Sequence, residues 1–380
     1  MKRSINRREA IVTLASSTGI PLLSACTREA AQAPSATPTE ADALKLLDDV
    51  AGNLLRLSPE SATSLGIDSG TRASLRSQLT DRSTGGQQQI ANQIRNDLQR
   101  VNAFNAASLS HATRTSFEVV RSAYAKAVEG FALPYGDVAV GGWRNTPYVV
   151  IQNVGAYLDI PRFLDSDHPI DNAADAEAYL ARLQSYAKQL DGELGRVQAA
   201  RAAGLVPPAF LIDKALAQME VSAKTAREGG SMVESIVRRT KNISGNWAER
   251  ARTIAAQEVA PALDRQLKEL HEQRLIATND AGMWARPHGE EYYRWALQAS
   301  TTTNMSPDQV HEMGRNELQR LEAQMDEVLK QIGYSQGSVG ERMKMLAKDP
   351  RHHFSEGDKG RAEIMAFIQN RLDWIRSEMP

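Results

Sequence analysis

Cysteine is almost absent from this sequence: Cys26 is the sole one in 380 residues. A lone thiol rules out an intramolecular disulfide, so stability has to come from packing. Long apolar runs are lacking too. The best candidate, Ala10 to Leu23, falls short of the roughly 20 residues a membrane-crossing helix needs and is interrupted by Gly19 and Pro21, which excludes a transmembrane fold. Neither sign of charge dominates, with 45 Lys and Arg against 46 Asp and Glu and a net charge of −1. Nothing in that balance favours nucleic acid, and the basic cluster Arg238-Arg239-Lys241 is small enough to be a solvated helix end. Aromatic residues make up only 6%, no repeat period emerges, and there is no G-x-S-x-G elbow, P-loop or G-x-G-x-x-G turn.

What is present begins with the surroundings of Cys26. Lys2, Arg3, Arg7 and Arg8 form a positive start, a short apolar stretch follows, and Leu23-Ser24-Ala25-Cys26 closes it. That order resembles a bacterial lipoprotein signal, in which Ser24 and Ala25 fit a peptidase pocket and the Cys26 thiol receives diacylglycerol. Residues 1–25 then read as a removed signal peptide, and the competing reading of Cys26 is a buried structural thiol. Removing Lys2, Arg3, Arg7, Arg8 and Glu9, a net +3, takes the mature chain from −1 to −4. Acyl chains on one residue anchor at about 0.8 kcal/mol per buried CH₂, so the expected partner of Cys26 is a lipid bilayer. The expected location is exported and periplasm-facing, and Thr27 in place of an aspartate favours the outer membrane. Arg7-Arg8 followed by Ile11, Val12 and Leu14 also resembles a twin-arginine export signal, with Glu9 inside the motif, so both export routes stay open. Residues 26–40, rich in Ala, Pro, Ser and Thr, have little to bury and read as a flexible tether.

From Ala41 onward the period is helical, which predicts an all-α fold, one large multi-helix domain over 41–380. The clearest helix is expected over about 307–332, where Val310, Gly314, Leu318, Leu321, Met325, Val328 and Ile332 recur at steps of three and four. Ser306-Pro307-Asp308-Gln309 supplies its N-cap, first-position proline and capping-box partner, and Gly333 its stop. A second carries Leu180, Leu183, Ala187, Leu190, Leu194 and Val197 and stops near Gly204. Others are expected near 41–57, 86–106, 112–131, 209–228, 246–275, 338–347 and 359–378. The stretch 143–170 departs from the pattern: a β-branched run at Val149-Val150-Ile151 is broken by Pro147, Gly155, Pro161 and Pro169, so it is expected to be irregular and rich in loops.

The search for chemistry turns on histidine. A helical zinc-peptidase site needs two His one turn apart with Glu beside the first. His271-Glu272 and His311-Glu312 begin that pattern, but Leu275 and Arg315 occupy the fourth position onward. His353 and Glu356, with His352, match a looser ligand pair inside a polar loop. Asp165, Asp167, His168 and Asp171 are rich in oxygen yet lack the glycine of a calcium loop, and Asp171 or Asn172 more naturally caps the following helix. No metal ligand and no catalytic residue is assigned. The substrate-groove candidates are Tyr148, Gln152, Asn153, Tyr292, Tyr293 and Thr302. Gln152 and Asn153 interrupt an apolar stretch, so they either fix a turn or face a cavity whose ligand supplies their partners. Tyr292-Tyr293, with Trp295 and Thr301-Thr302-Thr303, either line a groove or belong to a helix whose aromatics pack inward.

Several of these patterns together resemble a known family. Thr146-Pro-Tyr-Val-Val-Ile-Gln152, Gly155, Pro161-Arg-Phe-Leu164, His168-Pro-Ile170, Gly289-x-x-Tyr292-Tyr293, Thr301-Thr302-Thr303, Ser306-Pro307-x-x-Val310-His311-x-x-Gly314 and Asp349-Pro350-Arg351 are similar to the bacterial domain of unknown function 885 family. The resemblance runs over about residues 45–378. It implies a mostly helical, zinc-metallopeptidase-like protein, often an exported lipoprotein, about half as long again as this chain. The family's zinc signature lies C-terminal to these patterns, so the resemblance carries no catalytic residue onto this sequence. It implies the N-terminal, substrate-groove part of such a protein, with zinc expected only alongside a C-terminal half and the 380 residues inactive alone. A shortened, non-catalytic lipoprotein that binds peptides or envelope components is the alternative, and a helical spacer at the membrane a third. If the last helix packs against a missing half, its stripe Ile364, Ile368, Leu372 and Ile375 is expected to lie exposed and drive self-association.

Overall fold

The computed structural model describes residues 38–141 and 145–379, and among them it contains fourteen α-helices and no β-strand. The expected signal peptide, Cys26 and most of the tether lie outside the described residues. No helix among those described is long and apolar enough to cross a membrane.

The first layer is built by α1 (Glu40–Leu57), α3 (Thr84–Ala103) and α4 (His111–Phe131), with the short α2 (Pro59–Ser64) between. Polar side chains start each long helix: Thr39 and Asp42 form a capping box on α1, Ser83 caps α3 and Ser110 caps α4. Glu40 reaches across to Ser110 and to the Thr113 hydroxyl, which ties the first turns of α1 and α4 together. Their apolar faces meet at Leu46, Val50, Ile94, Val101, Phe117, Tyr124 and Ala127.

A larger second layer follows. It comprises α5 (Ala156–Ser166), α6 (Ala173–Ala202), α7 (Ala209–Glu228), α8 (Ser231–Arg239), α9 (Trp247–Ile254) and α10 (Ala260–Ile276), around Tyr157, Tyr179, Leu183, Tyr186, Leu190, Ile212, Met219, Val259 and Leu263. The single helix expected over 246–275 is α9 and α10 joined by a π-turn at Ala255–Val259. Pro261 explains the widened turn, because its ring lacks a donor and collides with the carbonyl one α-turn back. Asn172 caps α6 by accepting from the N–H groups of Ala174 and Asp175.

The stretch 143–170 is irregular only in its first part. Two antiparallel bridges, Asp137 with Thr146 and Ile151 with Val154, replace any strand, and then α5 begins at once and runs through Pro161. Gly155 enters that helix at φ 132°, which only glycine adopts freely, and the buried Glu193 carboxylate from α6 accepts the first helical N–H, of Ala156, at 2.9 Å. A cap lent by a distant helix takes the place of a local one.

Beyond this body α11 (Gly289–Thr301) packs on α4, with Gly130 leaving the space that the Trp295 ring fills. Then α12 (Pro307–Gln331), α13 (Val339–Leu346) and α14 (Gly357–Glu378) follow. The Ser306–Gln309 capping box, Pro307 at the first turn and Gly333 at φ 94° bound α12 as its sequence predicts. Of the apolar side chains on these three helices only Leu329 is buried.

Candidate functional site

Residues 132–141 and 145–155 contribute side chains to all three hydrophobic cores, and cavities open beside them. Asp137 and Thr146 exchange both N–H···O bonds, at 2.8 and 3.2 Å, and Arg196 of α6 pins the base through Gly136 O and the Asp137 carboxylate. Beneath lies an aromatic cluster of Tyr135, Tyr148, Tyr292 and Trp295. The Tyr292 ring is 5.4 Å from both Tyr135 and Trp295, tilted to each. Tyr135 donates to Pro287 O at 2.6 Å, Arg286 Nε donates to the Tyr148 hydroxyl at 3.0 Å, and Trp295 Nε1 donates to Lys126 O at 2.8 Å. The Tyr292 hydroxyl is buried with no hydrogen-bond partner, and burial pushes its pKa up.

Trp295 and Ala299 continue from this cluster into a cavity of about 450 Å³ between α4 and α11. Its apolar side is Val119, Ala123, Ala127, Ala139, Trp295 and Ala299. Hydroxyl and amide groups of Thr115, Ser122, Asn145, Gln298, Thr302, Thr303 and Asn304 border it, with Glu118 and Lys126 the charged members. Lys126 spans the two helices by donating to Glu129 and to Gln298 Oε1. At the end of α11 the backbone of Thr302 adopts φ 56°, and its N–H closes on Gln298 O at 2.9 Å. His288, just before α11, is at φ 52°. These are the two non-glycine residues at positive φ among those described; the left-handed backbone costs a β-branched residue such as threonine about 1–2 kcal/mol.

A larger cleft of about 790 Å³ opens between α1–α3 and α5–α6. At its wall Arg82 donates to Glu193 at 2.9 Å and to Asp159 at 3.3 Å, while Glu60 accepts from the Thr80 N–H and hydroxyl. Burial alone would push the Arg82 pKa down, but Glu193 and Asp159 outweigh it and hold the guanidinium above its ordinary value. Burial pushes Glu193 up in spite of that partner. These charges are mutually satisfied, and Glu193 also holds the start of α5, so this wall reads as scaffold. Sequence reasoning missed it, since Arg82 and Glu193 stand 111 residues apart and no local pattern joins them.

The predicted groove residues separate. Thr302 lines the smaller cavity, and Tyr148 and Tyr292 lie in the aromatic cluster beneath it. Gln152 and Asn153 occupy the turn between Ile151 and Val154; Asn153 is exposed, whereas Gln152 Oε1 is buried without a partner. Tyr293 is half exposed on the outer side of α11. Among the histidines, His271, His311, His352 and His353 are exposed, and His353 Nε2 lies 2.7 Å from Ala347 O. His168 is fully buried: its Nε2 donates to Asp175 O at 3.0 Å and its Nδ1 accepts from Arg182 at 2.7 Å. Burial, with the Arg182 and Arg239 cations near, pushes it down to about 4, so it is neutral at pH 7. Among the described residues no group of three or more His, Cys, Asp or Glu is placed to hold a metal ion.

Fold and cavities together define an all-α protein with a groove between two helices, roofed by an irregular segment. The chain belongs to the DUF885 family, described as a bacterial protein of unknown function, whose model matches residues 59–380. Among solved structures it is similar to a candidate lipoprotein from Colwellia psychrerythraea, with a TM-score of 0.81 and 21% identity over 89% of this chain and 59% of that one. A candidate lipoprotein of unknown function from Shewanella oneidensis is also similar, with a TM-score of 0.56 and 11% identity over 88% of this chain and 57% of that one. The chain thus spans a little under three-fifths of the length of these structural relatives. No curated protein matches the sequence.

Proposed function

We propose that this chain is the groove-bearing part of an exported, metallopeptidase-like lipoprotein, and that the α4–α11 groove binds a short peptide. The observation that carries the reading is the 450 Å³ cavity, with an apolar floor ending on Trp295 and a rim of hydroxyls and amides. An extended peptide offers matching chemistry: backbone N–H and C=O groups for the rim and small apolar side chains for the floor. The lipobox-like Leu23-Ser24-Ala25-Cys26 and the descriptions of the two structural relatives support export and anchoring, with the outer membrane as the favoured site.

The described residues do not fit a zinc ion, because His271 and His311 lack a second imidazole one turn on and both are exposed. In this reading the zinc-binding half lies outside the 380 residues, and the chain alone hydrolyses no peptide. Titration calorimetry of the soluble body, residues 38–380, with a panel of tri- to pentapeptides tests the groove. Binding that is abolished by Ala123→Phe or Ala299→Phe, with the melting transition retained, supports it. Peptide binding indifferent to both substitutions, or none at all, contradicts it. Anchoring is read separately: Cys26→Ser should release the protein from membranes or leave its signal attached, and no incorporation of a fatty-acid probe into the wild type contradicts acylation.

A further inference from the structure

Among the described residues, most of the exposed large apolar side chains lie from Met313 onward. On α12, Leu318, Leu321 and Val328, with the C-cap residue Ile332, fall within one narrow stripe and are 41–57% exposed. On α14, Ile364, Ile368, Leu372 and Ile375 recur at steps of four, four and three and are 39–44% exposed, flanked by Met365, Phe367 and Trp374. At 100° per residue these α14 positions cover roughly half the helix circumference. Asp373 lies on the opposite side and pairs with Arg376 at the edge of the face. The face is therefore patterned for burial, unlike the scattered apolar residues that soluble surfaces normally carry.

What holds the three helices is local. Arg342 of α13 pairs with Asp326 of α12 over the buried Leu329, and Phe354 touches Phe367. A helix of 22 residues whose apolar face meets water is marginal alone, since most helical stability in proteins comes from packing that face.

The structural relatives indicate the occupant. The 306 residues before α12 are about 81% of the 380, whereas the match to the Colwellia protein covers 89% of this chain, so the match extends into α12–α14. At least part of this arm thus has a counterpart in a protein that carries a further two-fifths of its length, 41% against the 59% matched.

We propose that the α12 and α14 stripes are a docking surface for a helical polypeptide, the family's counterpart of those further two-fifths, carried on the same chain in the longer protein. The inference rests on reading these 380 residues as part of a longer protein, and it adds which surface joins the parts. An apolar helical layer fits, because both stripes run along helix axes and the charge within the α14 face is that of Arg371, whose guanidinium lies over the Phe367 ring.

The test begins with the source reading frame after codon 380. Expression of the continued frame should give a monodisperse protein in which α12 and α14 amides exchange with deuterium at least 100-fold more slowly than in residues 38–380 alone. Ile368→Asp with Leu372→Asp should remove that gain and leave α6, α7 and α10 protection unchanged. A stop codon directly after 380 overturns the proposal, and so does a longer protein whose α12 and α14 amides still exchange fast. A stable dimer of residues 38–380 with both stripes already protected assigns the surface to a second copy instead, and also overturns it. Zinc content and peptide binding of the longer protein are measured in parallel, so failure of the peptidase-like reading and failure of the docking surface show as separate results.

Discussion

The body, α1 to α11, and the arm, α12 to α14, obey the same local rules and end in opposite states. Both start their helices with Ser or Thr caps; the arm's two capping boxes, Ser306 with Gln309 and Ser338 with Glu341, match the one at Thr39 with Asp42. Yet the body encloses Tyr157, Tyr179, Tyr186, Leu183 and Leu190 completely, while the arm leaves Leu318, Phe367, Leu372 and Trp374 in solvent. Caps and periodicity decide that a segment is helical and which side is apolar. Only tertiary contact decides whether that side is covered, and the difference between the regions lies wholly at that level.

The body depends most on its buried polar centre. Arg182, with no exposed surface, donates to Gln78 O, Leu75 O, the Thr63 hydroxyl and His168 Nδ1. Arg182→Ala should destabilise the body by about 3–5 kcal/mol, since it strands several buried acceptors at once. Urea unfolding followed by circular dichroism measures it; a loss below about 1 kcal/mol would mean the network is not what locks α6 to the 59–78 segment.

Acid should act on the same centre. Burial pushes the His168 imidazole down to about 4 from the 6.5 of the free side chain, so as pH falls the unfolded chain takes up the proton first. Its contribution is fully present above pH 6.5 and is lost as pH falls through about 4, an effect on the order of 3 kcal/mol. Stability measured between pH 7 and 4 should slope accordingly, and His168→Gln should flatten the slope.

A smaller effect sharpens the picture of the groove. Thr302→Gly should raise stability by about 0.5–1 kcal/mol by removing the left-handed strain, after allowance for glycine's larger unfolded-state entropy. It should also weaken peptide binding, because the hydroxyl at the rim is lost. A lower melting temperature contradicts the assignment of strain. Smallest is the arm: Ile368→Asp should change the body's stability by no more than about 0.5 kcal/mol, and a larger loss in urea unfolding would show the stripe already packed on the body.

Legibility followed the same division. The all-α class and α7 and α12 could be read closely from caps, prolines and apolar spacing, because those signals are local. α5 could not, since Pro161 and Gly155 argue for a break and the element exists through Glu193, supplied 37 residues later. The π-turn before Pro261 was hidden for the opposite reason: an unbroken helical period conceals a one-residue widening. In the groove, the Tyr-Tyr-x-Trp and triple-threonine pattern pointed to α11 and its end. It could not separate Tyr292, turned inward, from Tyr293, turned out, nor bring Val119, Ser122 and Lys126 of α4 opposite them.

Native-state hydrogen exchange on residues 38–380 tests the central contrast most directly. If the body is self-sufficient and the arm awaits a covering layer, amides in α6, α7 and α10 will exchange only through global unfolding, while those of α14 will exchange within about tenfold of an unstructured chain. Amides of α14 as slow as those of α7 would contradict the account, for they would show the arm to be packed and cooperative with the rest.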